Sequence, residues 1–297
     1  MAYESRKEVL SRLRALYESG TPIVGTGAGT GLTAKAERCG GADVVIVYGT
    51  GKYRMAGRSS MGGRFAFGDA NGLVLRMARE VMPVCADVPV FCGVFVQDPF
   101  RDMKRFLLEL REAGYSGVQN VPGMGGMDQM EGDAVVAYLN AKGIGVKMEL
   151  DFLRMAREND MVISPYAYNL EQCIEMAQIG ADVIVCHAGL TMKGLTAAKI
   201  APPLDRCVEM LTEWCDAIHR ENPDTIILCH GGPIAEPEDY AYVHKYVPKL
   251  AGFYGASSIE RIPVETDVMH TVREYKSLSL LSSGARGSST GGGNRAV

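Results

Sequence analysis

Residues 180–189 read Gly180-Ala181-Asp182-Val183-Ile184-Val185-Cys186-His187-Ala188-Gly189. A glycine closes the helical pattern that precedes it, and a short turn follows. A β-branched apolar run then ends in a histidine and a glycine-containing loop. A helix ending on glycine and feeding a buried strand through a tight αβ turn is the joint of a β/α repeat. Related entries stand at Gly41-Ala42-Asp43, Gly114-Tyr115-Ser116 and Ala251-Gly252-Phe253.

Working outward from this joint, eight strand-like runs appear, at 22–25, 44–47, 89–96, 117–121, 161–165, 182–186, 225–229 and 252–255. Helical stripes separate them. Met103, Phe106, Leu107 and Leu110 mark one over 100–113; Leu170, Cys173, Ile174 and Ala177 mark another over 169–179; Val208, Leu211, Trp214, Cys215 and Ile218 mark a third over 204–219. Two helical patterns, 131–142 and 146–158, lie between the fourth and fifth runs, where a strand at Gly145–Met148 is the alternative. Residues 5–19 carry Val9, Leu10, Leu13, Leu16 and Tyr17 at helical spacing, which suits a helix closing the bottom of a barrel. An open doubly wound sheet has the same local grammar, but eight units in about 250 residues predict a closed (β/α)8 barrel. The expectation is an α/β TIM barrel with an N-terminal helix over residues 1–278, followed by a flexible Ser/Gly-rich tail at 279–297.

Composition narrows the function classes. The 297 residues carry a net charge of −4 with no basic stripe, which argues against nucleic acid as a partner. No apolar run approaches the roughly 20 residues of a membrane span, so a cytoplasmic protein without a membrane partner is expected. Eight cysteines sit mostly inside apolar runs without a Cys-x-x-Cys pair and read as buried thiols.

Catalytic groups of such barrels come from strand carboxyl ends and the loops behind them. The sixth and seventh strands end alike, in Cys186-His187-Ala188-Gly189 and Cys229-His230-Gly231-Gly232. Alternation along adjacent strands predicts His187 and His230 converging at the mouth, with Cys186 and Cys229 facing outward. Either imidazole could move a proton, polarise a carbonyl or bind a metal.

After the eighth strand, Gly255-Ala256-Ser257-Ser258-Ile259-Glu260-Arg261 suits an anion, with backbone N–H groups, serine hydroxyls and Arg261 as donors, and Gly231 and Gly232 nearby. A helix N-cap at Ser257 or Ser258 is compatible with it. Glu260 joins the histidines as a candidate catalytic group. The glycine-rich turn at Gly25, Thr26 and Gly27 and the start of the second loop at Tyr48, Gly49 and Thr50 complete the expected substrate contacts. Residues 48–72, with Lys52, Arg54, Arg58 and Arg64 among glycines and serines, read as a mobile lid, a solvated loop or a subunit contact. Met124, Met127 and Met130 suggest a homo-oligomer contact, or local packing.

Four stretches together carry a family resemblance. They are 25–35, 48–54, 186–191 (Cys-His-Ala-Gly-Leu-Thr) and 255–261. The chain resembles the phosphoenolpyruvate hydrolase-like family of barrels over about residues 5–278, a family with related domains at the carboxyl end of a plant virus-resistance protein. It stands near the phosphoenolpyruvate mutase and isocitrate lyase superfamily. The resemblance implies a lyase or hydrolase of a small anionic 2-oxo acid, enolpyruvate or phosphonate, working through an enolate with magnesium. The superfamily's acidic metal shell lies at the ends of strands three and four, where this chain offers Asp98 and Gln119-Asn120. Asp98 is therefore the acidic candidate ligand at that position, and a ligand-binding or signalling barrel without turnover is the alternative.

Overall fold

The computed structural model describes residues 3–64, 68–126, 133–195 and 202–278. The expected tail lies outside them, as do Met127 and Met130. Among the described residues nine strands run parallel, β1 (Ile23–Ala28), β2 (Val44–Val47), β3 (Val90–Gly93), β4 (Gly117–Gln119), β5 (Val162–Ile163), β6 (Tyr166–Ala167), β7 (Val183–His187), β8 (Ile226–His230) and β9 (Gly252–Gly255), in the order β5-β4-β3-β2-β1-β9-β8-β7-β6.

The two ends of that order are halves of one segment. Val162 and Ser164 donate to carbonyls of Ser116 and Val118 on the β4 side, whereas the Pro165 carbonyl accepts from Val185 on β7. Proline lacks an N–H, so it sits where the segment leaves one neighbour for the other. The fifth barrel strand is thus β5 and β6 together, longer than the run to Pro165 predicts, and the fold is a (β/α)8 barrel.

The α-helices among the described residues are α1 (Arg6–Glu18), α2 (Gly31–Cys39), α3 (Gly49–Met55), α4 (Ser60–Arg64), α5 (Ala70–Val81), α6 (Met103–Glu112), α7 (Asp133–Ala141), α8 (Val146–Glu158), α9 (Leu170–Gln178), α10 (Leu204–Glu221), α11 (Pro237–Tyr246) and α12 (Ile262–Ser277). The capping box of Ser5 and Glu8 starts α1, whose Val9, Leu10 and Leu13 plug the barrel bottom against Ile23, Val44, Val183 and Ile226. The region 146–158 is helical, so the alternative strand at Gly145–Met148 does not form.

Alternation divides the core in two. Inward residues, from Ile23 and Ile46 up to Tyr48, Tyr166, Tyr168 and Tyr254, fill the barrel, while Val45, Cys92, Ile184, Cys186, Ile227 and Cys229 pack outward under the helices. Glycines on inward positions make room for the tyrosines: a Cβ on Gly25 would lie 2.1 Å from the Tyr254 ring. Among the described residues, no helix is long and apolar enough to cross a membrane.

The stretch expected as a lid is mostly helical. Glycine serves close packing here: a Cβ on Gly63 would lie 2.4 Å from the Thr50 backbone, and one on Gly62 would lie 2.6 Å from the Tyr53 ring. These contacts fold α4 onto α3 and bring Ser60 over the mouth. Residues 65–67 of this stretch lie outside the described residues.

Candidate active site

The paired strand ends decide the geometry of the mouth. His187 and His230 are register partners on β7 and β8, with ring centroids 4.7 Å apart. Their neighbours Cys186 and Cys229, also register partners, are fully buried outside the barrel. Both imidazoles line a small cavity of about 60 Å3. Tyr166 and Tyr168, at the end of the extended fifth strand, pack on them, with centroids 5.2 Å from His230 and 4.8 Å from His187 respectively. Burial pushes the Tyr166 and Tyr254 phenols well above their ordinary value, so both stay protonated.

Backbone contacts orient each imidazole. The Gly189 N–H donates to His187 Nδ1 at 3.0 Å, and His230 Nδ1 meets the Tyr254 carbonyl. Gly189 has φ +118°, a conformation that L side chains rarely adopt. Gly231 and Gly232 also have positive φ, and a Cβ on either would collide with the carbonyl of Gly189 or Ala188. The Gly232 N–H donates to the Gly189 carbonyl at 2.7 Å. The two glycines thus lock the loop of β8 onto that of β7 and lie outside the cavity lining.

The rest of the wall comes from the second and eighth loops. Tyr48 continues β2 inward, and Thr50, Ser60, Thr191, Ala256 and Ser257 line the cavity. Arg54 of α3 reaches it too; its Nη2 donates to the Gly27 carbonyl at 3.1 Å and to Glu260 at 3.0 Å. Glu260 also accepts from the Gly29 N–H and, at 2.7 Å, from the Thr33 hydroxyl. Glu260 is therefore an ion-pair partner fully enclosed behind the cavity wall, and Arg54, expected as part of a lid, a solvated loop or a subunit contact, is its partner beside the cavity.

Other expected contacts lie elsewhere. Thr26 faces away from the barrel, its hydroxyl donating to the Val44 carbonyl, and Gly25 is covered by the Tyr254 ring. Gly49 faces Leu73, and Gly255 faces the Ile259 side chain. Ser258 is half-buried and outside the cavity lining. Arg261 is not poised for an anion: its Nη1 holds both Glu265 oxygens at 2.8 Å and its Nη2 donates to the Lys193 carbonyl at 2.8 Å. It ties the loop after β7 to the last helix, a length of partnership that residue spacing does not reveal.

With this geometry in hand, relatives can be placed. The model of the phosphoenolpyruvate hydrolase-like family matches residues 8–278. The chain belongs to that family. It is 44% identical to the "ToMV susceptible protein tm-1(GCR26)" of Solanum lycopersicum over 277 residues, 93% of this chain and 36% of the relative. It is 29% identical to the "Putative transcriptional regulatory protein y4pA" of Sinorhizobium fredii (strain NBRC 101917 / NGR234), across 93% of this chain and 45% of that protein. The chain spans about a third to just under half the length of these curated relatives. Its fold is similar to that of a phosphonopyruvate hydrolase solved with oxalate and magnesium (TM-score 0.59, 14% identity, 92% of this chain and 88% of that one). It is likewise similar to 2,3-dimethylmalate lyase, a member of the phosphoenolpyruvate mutase/isocitrate lyase superfamily (TM-score 0.58, 14% identity, 95% and 92%).

The residues at the ends of β3 and β4 do not fit the magnesium shell that the family resemblance implies. Asp98 is bound to Arg101 at 2.5 Å and to the Asn71 amide at 3.1 Å. Asn120 donates to Glu149 at 2.7 Å and accepts from the Tyr166 N–H, while Gln119 donates to the Ser164 carbonyl. Glu149, from α8, is the acidic residue that reaches this corner, a carboxylate invisible to a reading of strand ends. It is fully buried, receiving Gln97 at 3.0 Å and the Met124 N–H. Burial raises its carboxyl above the ordinary value, against the pull of Asn120 and Gln97. Among the described residues, no group of three or more His, Cys, Asp or Glu could hold a metal ion.

Proposed function

We propose that the chain is an enzyme for a small anionic 2-oxo acid, enolpyruvate or phosphonate, cleaving a C–C, C–P or P–O bond through an enolate-like intermediate. The observation that carries this reading is the convergence of His187 and His230 at 4.7 Å inside one cavity at the carboxyl ends of the strands. One face of that cavity is built for proton transfer. The other offers the hydroxyls of Thr50, Ser60 and Ser257, donors suited to a carboxylate or phosphoryl group, with the Arg54–Glu260 pair behind them. The activities named for the similar folds lend support as analogy.

A second reading, a ligand-binding barrel without turnover, is favoured by the internal commitment of Asp98, Gln119 and Asn120. Pyruvate, oxaloacetate, phosphoenolpyruvate, phosphonopyruvate and oxalate, tested by heat-shift and by product formation, separate the two. Product from at least one compound, lost in His187→Ala and His230→Ala, is the expected result. Stabilisation without product supports the binding reading, and neither response rejects both.

Self-association belongs to the same proposal. Helix α12 buries none of its residues and exposes Val264, Val268 and Val272, four residues apart on one stripe. Sedimentation showing only a 32 kDa species at micromolar concentration would overturn it.

A further inference from the structure

We infer that the two histidines of the mouth are fixed in opposite tautomers and so divide the chemistry between them, His187 as the hydrogen-bond donor to the substrate's carbonyl oxygen and His230 as the base. This rests on the mouth being the catalytic site and adds the role of each ring.

The assignment follows from what backbone groups can do. An amide N–H only donates, so the Gly189 N–H at 3.0 Å requires a lone pair on His187 Nδ1. Neutral His187 therefore carries its hydrogen on Nε2. A carbonyl only accepts, so the Tyr254 oxygen requires a hydrogen on His230 Nδ1. Neutral His230 therefore has its lone pair on Nε2. The same strand position, reached through the same Cys-His pair, has opposite partners because the two loops differ. Gly189, at φ +118°, turns its N–H back toward the preceding ring, whereas β9 lends a carbonyl to His230 from the neighbouring strand.

The pair then fits one class of substrate. A 2-oxo acid with a hydrogen on C3 places an acidic C–H and a carbonyl oxygen a few atoms apart, on the scale of the 4.7 Å between ring centroids. His230 Nε2 takes the C3 proton, and the C–H electron pair becomes the C2–C3 π bond. The carbonyl π pair moves onto oxygen, where the His187 Nε2–H holds the enolate by a hydrogen bond without giving up its proton. Returning the proton from His230 to C3 restores both rings, so the elementary step needs no other reactant. The hydroxyls of Thr50 and Ser257, which line the same cavity, hold the carboxylate.

Tautomers can be read without any substrate. In the full chain labelled with 15N-histidine, long-range 1H–15N correlations report which ring nitrogen carries hydrogen, and His187→Gln and His230→Gln assign the two signals among the five histidines. The expected spectrum has Nε2–H for His187 and Nδ1–H for His230. Matching tautomers, or the reverse pair, overturn the inference whether or not the protein turns anything over. A compound from the panel gives the second readout, because a Gln amide mimics an Nε2–H donor but not an Nε2 base. His187→Ala should then lower kcat by about 100- to 1000-fold, as for loss of an oxyanion donor, with His187→Gln recovering at least about tenfold of it. His230→Gln should be as inactive as His230→Ala. Recovery by Gln at 230 and not at 187 also overturns the assignment, while exchange of the C3 hydrogen of pyruvate with deuterated solvent, lost in His230→Gln, supports it directly.

Discussion

Arg54 on α3 and Glu260 in the turn after β9 form a 3.0 Å ion pair whose side chains are only 1% and 0% exposed. It joins the second loop of the barrel to the eighth, and Glu260 uses its remaining acceptor capacity on the Gly29 N–H and Thr33. Removing one member of such a pair leaves the other charge buried without compensation. Glu260→Gln should therefore lower stability by about 3–5 kcal/mol in denaturant titration. A change below about 1 kcal/mol would show that water or a neighbouring group satisfies Arg54.

Arg261→Ala separates an anion contact from a structural brace. Its guanidinium is committed to Glu265 and to the Lys193 carbonyl, and its side chain is 4% exposed. Each charge-assisted bond contributes roughly 1.5–3 kcal/mol. Melting temperature should fall by several degrees, while the heat-shift from oxalate or phosphate, corrected for that fall, stays unchanged. Lost ligand response at unaltered stability would restore the anion-site reading.

Much of the barrel is legible in the sequence because a period of two is a local property. Alternation alone separates His187 and His230 from Cys186 and Cys229, and glycine-closed helices mark where strands begin. What escapes is set by distance or by exception. Arg54 and Glu260 lie 206 residues apart, so each charge reads as available until its partner is in view, and the Lys193 carbonyl that Arg261 reaches lies 68 residues away, although its carboxylate partner Glu265 stands one helical turn on. Pro165 looks like a strand end, yet the segment continues through Tyr166 to Tyr168 by changing neighbours, which hides two aromatic walls of the cavity. Glycines at 62 and 63 resemble loop punctuation but allow helices to touch.

Asp98 tests the reading of the β3 corner. Its carboxyl sits below the ordinary value: burial pushes it up, but the Phe100 N–H, Arg101 and Asn71 outweigh that. Asp98→Asn keeps the shape and removes the charge that Arg101 faces. The expected result is a loss of about 1 kcal/mol, the scale of a partly exposed pair, with ligand-induced heat-shift unaltered with or without magnesium. A magnesium-dependent response that disappears in this variant would make Asp98 a metal ligand after all.

Glu37 on α2 sets a pH dependence that a single substitution can isolate. The side chain is buried behind the mouth, and desolvation, followed by the charge of Glu260, pushes its carboxyl from near 4.5 up to about 7, against the pull of Thr26 and Arg54. Between these two values the folded chain binds a proton that the unfolded chain has released. Stability must then fall as pH rises through this window, with no penalty below about 4.5 and the full penalty above about 7. At about 1.4 kcal/mol per pH unit, the cost at pH 8 is on the order of 3 kcal/mol. Glu37→Gln carries no such proton. Its stability relative to the parent should be close to level at pH 4.5, climb through pH 6 and reach its largest advantage by pH 8. Urea titrations of both proteins at those three pH values measure the difference directly, and cancel the titrations that they share. Parallel stability curves across the window would mean that Glu37 is ionised in the folded chain throughout, with Arg54 shared between two carboxylates.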